Sequence, residues 1–243
     1  GSNLLVSDDG INGIVISPAK SLKKLEIEEN SIVAESGVML GKLVKESMKR
    51  NLTGLESLIG VPGTLGGALV MNAGAFGGEI SNYLISVDVM TSKGKLKSYK
   101  ATDIDFSYRF SSFSTDEFIL LARFELKFED PNIISERRKI ASSGRKTNQP
   151  LRFRSAGSVF KNPKDHAAGY LIDKVGLKGK RIGDAEISTH HANFFINHGN
   201  ASASDITELI RLARTAVLEK FDIELELEIK TIGFEQDKVV AHG

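Results

Sequence analysis

Ser158 stands in GSVFKNP (residues 157–163), with Lys161 and Asn162 close behind it. No base adjoins it and the motif is not a G-x-S-x-G elbow, so it is a poor nucleophile. A serine hydroxyl can instead deliver a proton to carbon when a neighbouring cation or a water chain supports it. The alternative is a turn serine bonded to its own backbone. Arg109, in FSYRFSSF (residues 106–113), is flanked by aromatic and hydroxyl residues. A guanidinium there suits a bidentate grip on a carboxylate or phosphate, or a surface ion pair. Glu224, Glu226 and Glu228 share one face of an alternating segment. A solvated outer face is the ordinary outcome; if that face lines a cleft, one of the three can act as an acid or proton shuttle. His190 and His191 are adjacent and point to opposite faces of an extended segment, so they do not chelate one metal. With no H-E-x-x-H and no cysteine, a metal site is not expected.

The 25-residue window 54–78 holds eight of the chain's 23 glycines, and residues 60–80 read GVPGTLGGALVMNAGAFGGEI. Glycines let backbone N–H groups approach a bulky anion with no Cβ in the way. The pattern is neither G-x-G-x-x-G after a strand nor G-x-x-x-x-G-K-[ST], so neither a Rossmann nor a P-loop assignment holds. PGTLGG can still wrap a pyrophosphate through main-chain donors; otherwise it is a tight structural turn. A second such turn, GSN, occupies residues 1–3. Two cradles point to a phosphorylated ligand too large for one loop.

The elements that must carry these groups read as an α+β chain with a boundary near residue 130. Short strands are expected at 4–6, 14–16, 25–28 and 32–34, an amphipathic helix over 38–49, a hairpin at 84–90 and 96–99, and a long strand over 118–128. Pro131 marks the boundary. Residues 135–154 are strongly basic, with seven Lys or Arg against Glu136 alone. That stretch can attract an anionic nucleotide head group or form a solvated helix; RNA binding would need interleaved aromatics, and only Phe153 is there. Ser202-x-x-Asp205 reads as a capping box ahead of a stripe at Ile206, Leu209, Ile210, Ala213, Ala216 and Val217. A closing strand alternates Ile223, Leu225, Leu227 and Ile229 with charged residues.

The chain's 243 residues fit one large domain or two modest ones, at 41% hydrophobic and 26% charged residues. A net charge of +1 does not argue for nucleic acid. The absence of cysteine excludes disulfides and fits a reducing compartment. No apolar run approaches the ~20 residues of a membrane span, and no signal peptide is visible. Gly1 opens inside a turn that feeds the apolar run NLLV, which suggests upstream residues; the alternative is that Gly1 and Ser2 are a cloning scar.

GSNLLV, GLESLIGVPGTLGGALVMNAGAFGGEI, SYRFSSF, AGSVFKNP, AGYLIDKVGLKG and LELEIKTIG, in that order, resemble the bacterial UDP-N-acetylenolpyruvoylglucosamine reductase (MurB) family, from residue 1 to about residue 234. Each motif alone is weak; six in order are specific. The spacing from Arg109 to Ser158 leaves no room for an inserted subdomain, which resembles the shorter, second type of that family. The resemblance implies an FAD-binding domain of the vanillyl-alcohol-oxidase (PCMH) type over residues 1–130, its first subdomain missing upstream of Gly1, and a C-terminal α+β substrate-binding domain over residues 131–243. It implies an FAD-dependent enzyme of the bacterial cytoplasm, reduced by NADPH, that reduces the enolpyruvyl ether of a UDP-sugar in peptidoglycan precursor synthesis. It implies a monomer, with no nucleic-acid or membrane partner.

By the same resemblance Ser158 is the proton donor, Arg109 and Glu228 are active-site residues, and Lys161, Asn162 and Tyr108 contact substrate. Gly1, Ser2, Asn3, Gly63, Gly66, Gly67 and Asn72 match the FAD turns. Leu227 and Lys230 depart from the family's LEPEVR, which leaves Glu228 in place. The competing implications are another FAD-dependent oxidoreductase of the same fold, or a non-catalytic nucleotide-binding module.

Overall fold

A computed structural model describes residues 1–234. The chain forms two compact units, Ile16–Arg145 and a second that joins Gly1–Val15 to the chain from Lys146 onward. This division differs from a boundary near residue 130. Proline tolerates the first position of a helix, where its missing N–H would be unbonded anyway. Pro131 accordingly opens an 18-residue helix, Pro131–Asn148, and the division falls near that helix's end.

The Ile16–Arg145 unit is built on a five-stranded antiparallel sheet in the order Leu25–Glu28, Ser31–Glu35, Glu117–Glu125, Leu84–Thr91, Leu96–Lys100. Alternation decides which face is buried: Ile32 and Ala34 are fully covered, as are Val87, Val89 and Ala122. Helix Leu40–Lys49 buries Leu40, Leu43 and Val44 in the same core. Within the glycine-rich window, residues Leu65–Val70 form a short helix capped by Thr64, which the glycine content conceals from a propensity reading. Two-residue strands Gly74–Ala75 and Gly78–Glu79 then make a tight hairpin.

The other unit carries a four-stranded antiparallel sheet in the order Arg154–Ser158, Phe194–Asn197, Ala185–Ile187, Arg181–Ile182. Helices Ala168–Lys174 and Ala203–Phe221 contribute Leu171, Ile172, Leu209, Ile210, Ala213 and Val217 to its core. The capping box holds: Ser202 Oγ accepts the Asp205 N–H at 3.0 Å and Asp205 Oδ2 accepts the Ser202 N–H at 2.9 Å. Asp8 adds a second cap, taking the Ala203 and Ser204 N–H groups at 2.8 and 3.1 Å.

Three strand expectations fail. The strand expected over 118–128 ends at Glu125, and Lys127–Phe128 pairs instead with Leu52–Thr53 in a separate two-stranded sheet. Residues 14–16 are not a strand, and Ile14 is 92% exposed. The closing strand is Lys230–Ile232, paired in parallel with Leu4–Val6, while upstream of it Leu227 makes only an isolated bridge to Phe160. The alternation at 223–229 is real in burial (Leu225 and Ile229 are covered), but among the described residues it has no continuous partner strand.

Candidate functional site

Ser158 ends the strand Arg154–Ser158, where the register against Phe194–Asn197 shifts between Ser155 and Ser158. Gly157 just before it has φ +86°, a conformation that a side chain resists. Such bulges re-aim the side chain that follows. The next peptide is held on both sides. Val159 N–H donates to the Asn193 carbonyl at 2.8 Å, and the Val159 carbonyl accepts the Glu228 N–H at 2.8 Å. Asn3 Nδ2 donates to the Glu228 carbonyl at 3.0 Å, and the Asn3 carbonyl accepts the Lys230 N–H at 2.9 Å. Ser158, Glu228 and Asn3, from three distant stretches, thus belong to one hydrogen-bonded neighbourhood.

The three glutamates separate here. Glu224 and Glu226 are exposed, whereas Glu228 is half-buried. Glu226 takes the ammonium of Lys161 in a short ion pair, and Lys161 N–H donates to the Glu226 carbonyl at 2.8 Å. Asn162 Oδ1 accepts the Ala168 N–H at 3.1 Å, at the start of helix Ala168–Lys174. Gly1 and Ser2 line a cleft of about 320 Å³ together with Asp8, Arg154 and Ser155. His191 accepts the Asn193 N–H at Nδ1, and burial holds its imidazole below the ordinary histidine range.

In the Ile16–Arg145 unit, Gly63 has φ +108°, and its carbonyl accepts the Leu40 N–H at 3.0 Å. The N–H of Gly66 donates to the Ser36 carbonyl at 2.9 Å, and a Cβ on Gly66 would lie 3.1 Å from the Ser36 Cβ. The N–H of Gly67 reaches Thr64 Oγ1 at 3.5 Å. Asn72 is fully buried with φ +39°, and its Nδ2 donates to Glu79 Oε2 at 2.8 Å and to the Ser107 carbonyl at 3.1 Å. Arg109 has φ +57°, lies over the Tyr108 ring at 4.9 Å, and its Nη1 sits 3.5 Å from where a Cβ on Gly74 would be.

Arg145 joins this cluster and was not singled out by the sequence. It is 8% exposed, lies over the Phe76 ring at 5.6 Å, and is close enough to Arg109 for that charge to act on it. Burial, then the Arg109 charge, hold its guanidinium below the usual arginine range. The available signal was spacing: Ile134, Ala141 and Arg145 are the buried residues of helix Pro131–Asn148, so an arginine occupies an apolar-face position. Asn193 was missed as well, because its partner Phe160 lies far away in sequence.

Among the described residues, four buried side-chain atoms lack a hydrogen-bond partner: Ser36 Oγ, Ser57 Oγ, Asn72 Oδ1 and Arg145 Nε. All four lie in the Ile16–Arg145 unit. Ser36 abuts Gly66, and Ser57 abuts Gly78. A buried polar atom left unpaired costs about 1–3 kcal/mol; the two serine hydroxyls and the Arg145 Nε–H can donate to an anionic group, whereas Asn72 Oδ1 can only accept and calls for a donor such as a ring N–H. A flavin dinucleotide has the pyrophosphate and the polar ring edge to supply both. Among the described residues, no group of three or more His, Cys, Asp or Glu is placed to hold a metal ion, and no helix is long and apolar enough to cross a membrane.

Comparison with known proteins agrees with a flavin site. Residues 1–99 match the FAD-binding domain family, and residues 149–232 match the C-terminal domain of UDP-N-acetylenolpyruvoylglucosamine reductase. The molecule is thus an FAD-binding α+β protein. It is 45% identical over 240 residues to the UDP-N-acetylenolpyruvoylglucosamine reductase of Clostridium tetani, covering 98% of this chain and 77% of that protein. The Listeria welshimeri reductase is 44% identical over 234 residues, covering 96% of this chain and 78% of its own length. The crystal structure of the Thermus caldophilus reductase superposes with a TM-score of 0.84 at 38% identity, over 96% of this chain and 83% of that one. The chain belongs to the UDP-N-acetylenolpyruvoylglucosamine reductase family.

Proposed function

We propose that this chain reduces the enolpyruvyl ether of UDP-N-acetylenolpyruvoylglucosamine to UDP-N-acetylmuramate, with NADPH as the electron source, for peptidoglycan precursor synthesis. The observation that carries the residue roles is the serine joint: Ser158 ends a bulged strand whose next carbonyl holds the backbone of Glu228. When bound and reduced by NADPH, FAD would supply hydride chemistry to the β-carbon of the ether. Negative charge then develops at the α-carbon and its carboxylate. Arg109 stabilises that charge, an interaction stronger in the transition state than in the ground state. Glu228, as a protonated acid, helps to hold that charge, and the Ser158 hydroxyl gives its proton to the α-carbon. Lys161 and Asn162 serve the substrate phosphates; Lys161 does so by exchanging Glu226 for a phosphate. Tyr108 flanks the carboxylate grip of Arg109.

FAD is held by the glycine turns, Gly63, Gly66 and Gly67, by Asn72, and by the Gly1-Ser2-Asn3 turn, with Arg145 as an additional cation for its anionic portion. The protein acts as a monomer in the bacterial cytoplasm, and sedimentation at micromolar concentration checks the first of these.

The test is stopped-flow absorbance on the flavin-loaded protein. NADPH should bleach the flavin, the sugar nucleotide should restore the colour rapidly, and simple alcohols should not reduce the flavin. Ser158→Ala should leave bleaching nearly intact and slow only the return, by roughly 10²–10⁴-fold. Equal loss in both halves removes Ser158 from the chemistry.

A further inference from the structure

Asn193 is 2% exposed and makes more hydrogen bonds to the serine segment than any ladder position requires. Its side chain straddles one residue: Oδ1 accepts the Phe160 N–H at 2.9 Å, and Nδ2 donates to the Phe160 carbonyl at 2.8 Å. Its own carbonyl accepts the Val159 N–H at 2.8 Å. Phe160 is completely buried, so without Asn193 its N–H and carbonyl would lose partners that water cannot replace. The same two-residue stretch is the one that Glu228 registers on, through the Val159 carbonyl, with the Ile229 N–H at 3.4 Å from the same oxygen. Asn193 is held in turn, since its N–H donates to His191 Nδ1 at 3.2 Å.

A β-bulge such as the one between Ser155 and Ser158 breaks the ladder and leaves local freedom. Asn193 removes that freedom immediately after Ser158. We infer that Asn193 is a positioning residue, a two-pronged clamp on Phe160 that fixes Ser158 relative to Glu228 for the protonation step. This inference rests on the function proposed above, in which Ser158 is the proton donor. Proton delivery depends steeply on alignment, and a misplacement of about 1 Å can cost on the order of 10²-fold. Asn193 touches no reacting atom in this account; it acts only through the backbone of residues 159 and 160.

The experiment compares the flavin-loaded protein with Asn193→Ala, Ser158→Ala and the double variant, following both half-reactions by stopped flow. Asn193→Ala is expected to leave flavin reduction by NADPH within about twofold and to slow reoxidation by the sugar nucleotide by about 10–100-fold. In the Ser158→Ala background the same change should add little, because residues that act as one unit are not additive. Asn193→Asp keeps the acceptor for the Phe160 N–H and loses the donor, so it serves if the alanine variant does not fold, with an expected loss of roughly tenfold. Amide exchange gives a readout independent of turnover: protection at Phe160 and Glu228 should fall in both Asn193 variants. Unchanged protection, equal loss in both half-reactions, or full additivity with Ser158→Ala overturns the clamp. If the unsubstituted protein bleaches with NADPH yet the sugar nucleotide does not reoxidise it, the proposed function itself has failed, an outcome distinct from all three.

Discussion

The two units prepare their polar groups in opposite ways. Around Ser158, the backbone and Asn193 saturate one another, and among the described residues none of the orphaned buried side-chain atoms lies in that unit. Around the glycine turns, four buried polar atoms have no partner, and one belongs to a guanidinium set beside a second guanidinium. The first arrangement is complete without a ligand and fixes geometry. The second is incomplete: its hydroxyls and its guanidinium Nε–H can donate to an anion, and its amide oxygen needs a donor, so a ligand with both an anionic group and an N–H would return the desolvation cost. A hydrogen-bonded serine joint and an unsatisfied polar cradle are different physical devices, and each fails differently when a residue is changed.

The largest expected effect lies in the finished half. Ser158→Ala should slow reoxidation of the reduced flavin by roughly 10²–10⁴-fold while leaving FAD affinity and thermal stability nearly unchanged. A matched fall in FAD affinity would erase the contrast between the units. In the unfinished half, Arg145→Leu should do the reverse. Replacing a buried charge that has no counter-ion is often neutral or stabilising, so the melting temperature of the flavin-free protein should hold or rise. The increment that added FAD confers should shrink by several degrees, and calorimetry of FAD binding gives the same comparison through the dissociation constant.

A milder perturbation of that half is Gly144→Ala, whose new Cβ would lie 2.6 Å from Phe76 Cε1. Phe76 is 51% exposed and has room to give way, and alanine is worth up to about 1 kcal/mol over glycine inside a helix. Flavin-free stability should therefore hold, while the Phe76–Arg145 stack is displaced and FAD binds a few-fold more weakly. The smallest effect belongs to Asp8→Ala. Hydrogen bonds from the Ala203 and Ser204 N–H groups hold the Asp8 carboxyl below the usual carboxylate value. A depressed value means that its stabilisation is present above the unfolded-state pKa of about 3.9 and is lost as pH falls through the lower folded value. The variant should melt slightly lower than the parent at neutral pH, converge with it in strong acid, and show the same gap with and without FAD. A gap that depends on FAD would place Asp8 in the cradle rather than in the fold.

The sequence made much of this legible through short-range signals. The Ser202–Asp205 box, the helix at residues 40–49 and the 84–100 hairpin each follow from cap, period or turn chemistry, and each is present. The motif order supplied the family and its site candidates. Long-range facts were not legible. Glu228 is half-buried where Glu224 and Glu226 are exposed, and Val159 and Asn3 meet its backbone from far along the chain. Arg145 reads as one more cation in a basic stretch until its helix face is known to be the buried one. Pro131 signals a break in any local reading, yet the same ring is welcome at a helix start, and there it marks the beginning of an element rather than the end of a unit.

The parallel pairing of Leu4–Val6 with Lys230–Ile232 has a consequence for biosynthesis. Ribosomes emit the chain from its amino end, so Leu4 waits for its partner strand until Lys230 has been translated. Ile16–Arg145 is continuous and has all its sheet contacts in hand long before that. Leu4 and Val6, apolar and still partly uncovered after folding, therefore stay without this partner strand until Ile232 has been made. Until then the strand is apolar surface for a chaperone to shield, and a translation product that stops short of Lys230 leaves it without that pairing.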